Sequence, residues 1–169
     1  MTQARSNPAL TAHRLRELLS YNQETGVFTW RVSRGGVSAG AQANSKDHRG
    51  YMRVRIAGVD YATHRLAWLY VTGSWPDHEI DHINKIKTDN RFANLRDVTA
   101  TINMQNQIAA MTHGKSGFLG VTWHKNGQRW QAQIKVSGKS IHLGLFSTAE
   151  DAHGAYLSAK RALHEGCTI

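Results

Sequence analysis

The eight residues RWQAQIKV, Arg129–Val136, alternate apolar and polar side chains without a break, and a turn dipeptide stands on each side, Asn126-Gly127 and Ser137-Gly138. A period of two sends Trp130, Ala132, Ile134 and Val136 to one face and Arg129, Gln131, Gln133 and Lys135 to the other. Asn-Gly and Ser-Gly are hairpin signals, so the pattern predicts three antiparallel strands over roughly 118–124, 129–136 and 139–146. In the third strand, Ser140 and His142 fall on the open face and Ile141 and Leu143 on the core face. Ser147 and Glu150 have the spacing of a capping box, and Ala152, Ala155, Tyr156, Ala159 and Leu163 make the stripe of a helix ending near Gly166. One small sheet covered by one helix accounts for 118–166.

The face left open is cationic. Between Lys115 and Phe146 there are five Lys or Arg residues and no acid, and the whole 169-residue chain carries a formal net charge of +9. Such a balance points to a polyanion as partner, held by ion pairing and counterion release, with double-stranded DNA foremost. No run approaches the ~20 apolar residues needed to span a bilayer, so no membrane partner is expected. The opening MTQARSNPAL lacks an apolar stretch behind its charge, which predicts a cytoplasmic location. Cys167 is the one cysteine, which excludes an internal disulfide and a Cys-rich zinc site.

Ahead of this module the residues 112–117, THGKSG, read as a linker, leaving 1–111 as a separate region. Thr11 is placed to cap a helix running through about Tyr21, with Leu15, Leu18 and Leu19 on one side. A strand over 27–32 follows the turn NQETG, and RGGVSAGAQANSKDHRG reads as a long polar loop. The segment YMRVRIAGVDYA alternates around an Ala57-Gly58 turn, and HRLAWLYVTG predicts a buried helix stopping at Gly73. The fold class is therefore α+β.

The chemistry concentrates in EIDHINKIKTDNRFANLRDVTATIN, Glu79 to Asn103. Hydrolysis of a phosphodiester needs a base for water, a cation against the charge growing on phosphorus, and help for the departing oxygen. His82 titrates near neutrality and can serve as the base, while a carboxylate and an amide oxygen can hold a hard divalent ion. Neighbours on a regular strand face opposite ways, so Asp81 and His82 share a site only where the strand ends or bends. Polar NKIKTDNRFAN after EIDHI allows that, LRDV makes a return strand, and Thr99 starts a helix with Asn103 one turn in. His78 and His82 are four apart, but Pro76 and the strand-like EIDHI exclude a helical zinc pair.

With HRLAW, IDHIN, DNRFANLR and VTATINMQN together, the stretch 61–107 resembles the HNH, or ββα-metal, endonucleases, and among them the phage and intron-type homing enzymes. The resemblance implies Asp81 and Asn103 as metal ligands, His82 as general base, and Asn94 as the central asparagine that holds the loop and orients the base. It also places His64 and Arg65 at the start of a nearby helix, with Arg65 in reach of phosphate. Asn106 and Gln107 share the helix face of Asn103. An amide in place of imidazole at the last position favours one Mg²⁺ per site, with Mn²⁺ as a substitute. Where many relatives carry a Gly-Asp pair after the DHIN segment, this chain has Lys85-Ile86.

The order GVTWHKNGQRWQAQIKVSGKSIHLGLFSTAEDAHGAYLSAKRAL is similar to the APETALA-two/ethylene-response-factor DNA-binding domain over about 48 residues. That resemblance implies base and phosphate contacts from the sheet. Thr122, Gln131, Gln133 and His142 stand where plant members carry arginines and a tryptophan, and Arg129, Lys135 and Lys139 are the phosphate candidates. The expectation is a site-specific, metal-dependent DNA endonuclease of homing type, phage- or mobile-element-encoded, nicking as a monomer or cutting both strands as a dimer and leaving 5′ phosphates. The competing expectations are a DNA-binding regulator with an inactive nuclease scaffold and an RNA-binding module.

Overall fold

The computed structural model describes residues 10–106 and 116–168. The chain divides into two compact units, Met1–Val98 and Thr99–Ile169. Among the described residues, helices accompany three small antiparallel sheets in the first unit and one in the second, giving a mixed α+β fold. Among the described residues no helix is long and apolar enough to cross a membrane.

The first unit opens with α1 (Ala12–Leu18), capped by Thr11, whose side chain accepts from the amide of Arg14. The expected helix through Tyr21 is shorter: β1 (Leu19–Asn22) takes over at Leu19 and pairs antiparallel with β2 (Val27–Trp30). Pairing buries Tyr21 against Phe28 at 4.7 Å, a gain that a continued helix would forgo. The loop expected over 34–50 is partly ordered. It contains an Arg34–Val37 bridge and the short strand β3 (Asn44–Lys46), which lies on the edge of β4 (Met52–Ile56). Being polar and largely exposed, β3 offers no apolar alternation for sequence reading to detect.

The hairpin from β4 to β5 (Val59–Ala62) turns on Ala57 and Gly58, both at positive φ, as predicted. Next, α2 (Thr63–Thr72) ends at Gly73 in the left-handed conformation. Its residues Leu66 and Leu69 enter one core with Leu15, Leu19, Phe28 and Val54. To that core are attached β6 (Glu79–His82) and β7 (Leu95–Val98), an antiparallel pair whose Ile80 and Leu95 are also buried. The pair that carries Asp81 and His82 is thus fastened to the hydrophobic core of the unit.

The second unit begins with α3 (Ala100–Gln105), capped by Thr99. Its sheet has β9 (Arg129–Val136) between β8 (Val121–His124) and β10 (Lys139–Phe146), and α4 (Ala149–Leu163) covers one face. Gly120, at φ 75°, is obligatory, since a Cβ there would stand 2.0 Å from the Tyr156 ring. The α4 cap is Thr148, one residue past the expected Ser147, and its partner is Asp151. A break in register between His142 and Gly144 sets Leu145 opposite Gln131 and Phe146 opposite Trp130, while Ile141, opposite Ile134 ahead of the break, is exposed instead of in the core. Leu163 is exposed as well, and the α4 stripe continues through buried Lys160 and His164. The amide of Gly166 donates to Gln105 Oε1, which ties α3 to the end of the chain. The boundary at Val98/Thr99 therefore precedes the expected linker at 112–117, of which 112–115 lie outside the described residues.

Candidate active site and nucleic-acid interface

His82 is the last residue of β6 and pairs with Leu95, as the preceding Asp81 pairs with Arg96. Both are buried, at 9% and 5% exposure. Across the pair Asp81 faces Arg96, which donates from Nε at 3.0 Å and from a terminal nitrogen at 2.7 Å to Asp81 Oδ2. The carboxylate that the resemblance assigns to the metal thus bears one cationic partner. Sequence reading passed over Arg96, although the strands EIDH and LRDV set the two opposite once paired.

The orientation of His82 comes from Asn90, a residue that the sequence reading did not single out. Asn90 is 1% exposed, and its Nδ2 donates to the Thr88 carbonyl at 3.1 Å, which fixes the amide and aims Oδ1 at His82 Nε2, 3.3 Å away. Because Oδ1 can only accept, Nε2 carries the proton and Nδ1 keeps the lone pair. Burial pulls the imidazole below its ordinary 6.5, against the opposing pull of Asn90, Asp81 and Asp89. At neutral pH the ring is an uncharged base with a defined tautomer.

Asn94 occupies the centre of the loop. Its Nδ2 donates to Asn84 Oδ1 at 2.9 Å and to the Asp89 carbonyl at 2.8 Å, while its Oδ1 accepts from the Asn84 amide at 3.0 Å. Asp89 in turn accepts from Asn84 and from Arg91, and Arg91 draws its carboxyl down to about 2. Asn94 thus closes the loop between the strands, whereas contact with the imidazole falls to Asn90.

His64, at the start of α2, packs its ring edge-on against His82 at 5.2 Å, and Tyr51 lies 5.6 Å from His64. Burial pushes His64 down to about 3, with His82 and Arg65 contributing. Arg65 extends to the His78 carbonyl at 3.4 Å and over the Trp75 ring. The His78 ring lies by Asp97, apart from any helix shared with His82.

Asn103 stands half-buried on α3, in the second unit, with its amide donating to Thr99. Asn106 is buried and accepts from Thr168 at 2.6 Å, which takes it off the helix surface; Gln107 lies outside the described residues. Among the described residues no cluster of three or more His, Cys, Asp or Glu side chains could hold a metal ion. A carboxylate and a neutral imidazole without thiolates suit a hard divalent ion that retains water and do not fit a thiolate-type zinc site.

On the second unit, Arg129, Gln133, Lys135 and Lys139 are exposed, as are Thr122 and His142. Register sets Thr122 opposite Gln131 and Gln133 opposite His142, so these four share the face turned away from α4. Gln131 Nε2 lies 3.1 Å from His142 Nδ1, which joins β9 and β10 in one polar row. Trp130 packs against the core with Trp123 across from it at 5.0 Å.

Residues 61–105 match the family model described as HNH endonuclease. Over 56 residues the chain is 43% identical to an AP2-like ethylene-responsive transcription factor of Oryza sativa subsp. japonica and 41% identical to one of Arabidopsis thaliana. Each match takes in 32% of this chain and only 9% or 10% of the plant protein. No solved structure gives a significant match. The chain is therefore similar to HNH endonucleases over residues 61–105 and, over 56 residues, to a small part of these plant proteins.

Proposed function

We propose that the protein is a site-specific, divalent-metal-dependent DNA endonuclease that hydrolyses phosphodiester bonds with water activated by His82. The observation that carries this is the buried, neutral imidazole at the end of β6, with Nε2–H engaged by Asn90 and Nδ1 left as the base, inside residues that match the HNH endonuclease family. Nδ1 takes a proton from water as its oxygen attacks phosphorus and the bond to the 3′ oxygen breaks, giving a 5′ phosphate and a 3′ hydroxyl. Asn90 holds the ring in this tautomer, and Asn94 keeps the loop closed beneath it.

Asp81 and Asn103 would hold the metal, and Mg²⁺, or Mn²⁺ in its place, would offset charge on the phosphoryl and leaving oxygens when bound. Arg65 reaches toward phosphate. The β8–β10 face supplies targeting: Arg129, Lys135 and Lys139 meet phosphates, while Thr122, Gln131, Gln133 and His142 meet base edges. The 56-residue similarity to plant transcription factors supports this division of labour, and on it 118–166 is the targeting domain and 1–111 the nuclease region. On this reading the protein is a homing-type nuclease acting in the cytoplasm on double-stranded DNA, and a single site among the described residues would nick as a monomer or cut both strands as a dimer.

A specific contact favours a second reading. The Arg96 guanidinium lies on the carboxylate assigned to the metal, as it would in a DNA-binding regulator whose nuclease fold is only a scaffold. Plasmid nicking with and without Mg²⁺, by the wild-type chain and by His82→Ala, separates the two. Nicking that requires both metal and His82 supports the enzyme, and folded protein that binds DNA without nicking supports the regulator.

A further inference from the structure

The loop just beyond His82 places an apolar side chain in the open, and four backbone contacts hold it there. Ile86 is 54% exposed. Its amide donates to Asn84 Oδ1 and its carbonyl accepts from the Asp89 amide, both at 2.9 Å. The preceding amide, of Lys85, donates to the His82 carbonyl at 2.9 Å, and the Ile83 amide to the Asn94 carbonyl. Lys85 adopts φ 64°, a left-handed conformation that an L-residue with a full side chain enters only at a cost. A single exposed isoleucine on a slack loop would call for no explanation. This one is the tip of a turn closed on the catalytic base and braced by the same asparagines that organise the site.

The surroundings of the tip are basic. Lys85 and Lys87 flank Ile86, and Lys87 Nζ is anchored on the Arg49 carbonyl at 3.1 Å and over the Tyr51 ring at 4.7 Å. That anchor brings the loop carrying Lys46, His48 and Arg49 beside it, and the side chains of Lys46, Arg49 and Lys87 are exposed. A hydrophobic protein partner would leave this cationic rim unmatched. A duplex satisfies both parts: base-pair faces accept an apolar branched side chain between them, and the phosphates on either side meet the lysines.

We propose that Ile86 is a wedge that inserts between adjacent base pairs of duplex DNA beside the phosphate presented to His82, with Lys85 and Lys87 on the flanking phosphates. The inference rests on the nuclease reading for the location of the cut, and its consequence is specificity. Insertion unstacks one step, and the cost depends on which bases are unstacked, so the wedge selects for deformable steps near the cut.

The test uses a tiled set of duplexes, each with 2-aminopurine at one position, bound by the full wild-type chain in EDTA. Binding is followed by anisotropy, and cleavage is followed in parallel with Mg²⁺. A fluorescence rise confined to one step, retained in Ile86→Leu and lost in Ile86→Ala with duplex still bound, is the expected result. Bound duplex with no rise, or a rise unchanged in Ile86→Ala, overturns the wedge, as does a change in sedimenting mass of Ile86→Ala without an effect on fluorescence. Cleavage without a rise leaves the nuclease standing and removes the wedge, whereas a rise without cleavage keeps the wedge and removes the nuclease. Ile86 is exposed, so neither substitution threatens folding.

Discussion

Asn90 Oδ1 lies 3.3 Å from Nε2 of His82, and the same residue's carbonyl accepts from the Tyr21 hydroxyl at 2.6 Å. A buried amide thus links the tautomer of the candidate base to the β1–β2 hairpin, 69 residues away in sequence. Removing it should affect turnover more than substrate affinity. Asn90→Ala is expected to lower kcat by about 10- to 100-fold with KM nearly unchanged, the signature of a misoriented base. Steady-state nicking kinetics on supercoiled plasmid check this; an equal loss in KM would assign Asn90 to DNA binding instead.

The hairpin approaches the same loop so closely that only glycine fits. A Cβ on Gly26 would stand 2.5 Å from the Arg91 amide nitrogen and from the Asn90 carbonyl carbon, and its φ is 73°. Gly26→Ala should cost about 2 kcal/mol or more of stability and depress nicking through displacement of Asn90. Urea denaturation beside activity measurement tests both. A stable, fully active variant would show that the hairpin does not position the loop.

Stability should fall in acid through His64. Its folded pKa is pushed down to about 3 from 6.5, so above 6.5 neither state holds the extra proton. Between 6.5 and 3 the unfolded chain binds it and the folded chain does not, so stability is lost progressively as pH falls across that window. Carboxylates titrate there too, which makes the comparison with His64→Gln the informative one. Denaturation at several pH values should show a shallower acid loss in the variant, and identical slopes would contradict the assignment.

What the sequence made legible is what local patterning encodes. Arg129–Val136 and its flanking turns located the central strand to the residue, because one face had to be buried and a single register does that. The strand that carries Asp81 and His82 and its return over Leu95–Val98 were readable from patterning. Asn90 and Arg96 were not, since a cross-strand partner and an amide fixed by Thr88 exist only once the hairpin has closed. Tyr21 misled for a related reason: its apolar spacing suits a helix, and only pairing with Phe28 decides for a strand. The break in β10 past His142 has no turn residue to announce it beyond Gly144, and it sets Leu145 opposite Gln131 and Phe146 opposite Trp130.

The cationic face of the second unit should reveal itself through salt. Each phosphate neutralised contributes about 0.9 to the slope of log affinity against log salt, so replacing Arg129, Lys135 and Lys139 together by alanine should reduce the slope by about 2.7. Thr122, Gln131, Gln133 and His142 should instead alter which sequences are preferred, with little change in slope. Titrations at several salt concentrations separate these effects. An unchanged slope would place the DNA elsewhere.

Arg96 bears on the competing reading. Arg96→Gln removes the guanidinium from Asp81, and if Asp81 holds the metal, the Mg²⁺ concentration for half-maximal nicking should fall. Metal titration of nicking reads this directly. A half-maximal concentration that does not move would separate Arg96 from the metal.

The most direct measurement is to sequence the ends produced from a randomised duplex pool by the wild-type chain with Mg²⁺, beside His82→Ala and an EDTA control. The account predicts discrete cut positions with 5′ phosphate and 3′ hydroxyl ends, all absent in both controls. Folded wild-type protein that retains duplex but leaves the pool intact, or cuts surviving in a folded His82→Ala chain, would contradict it.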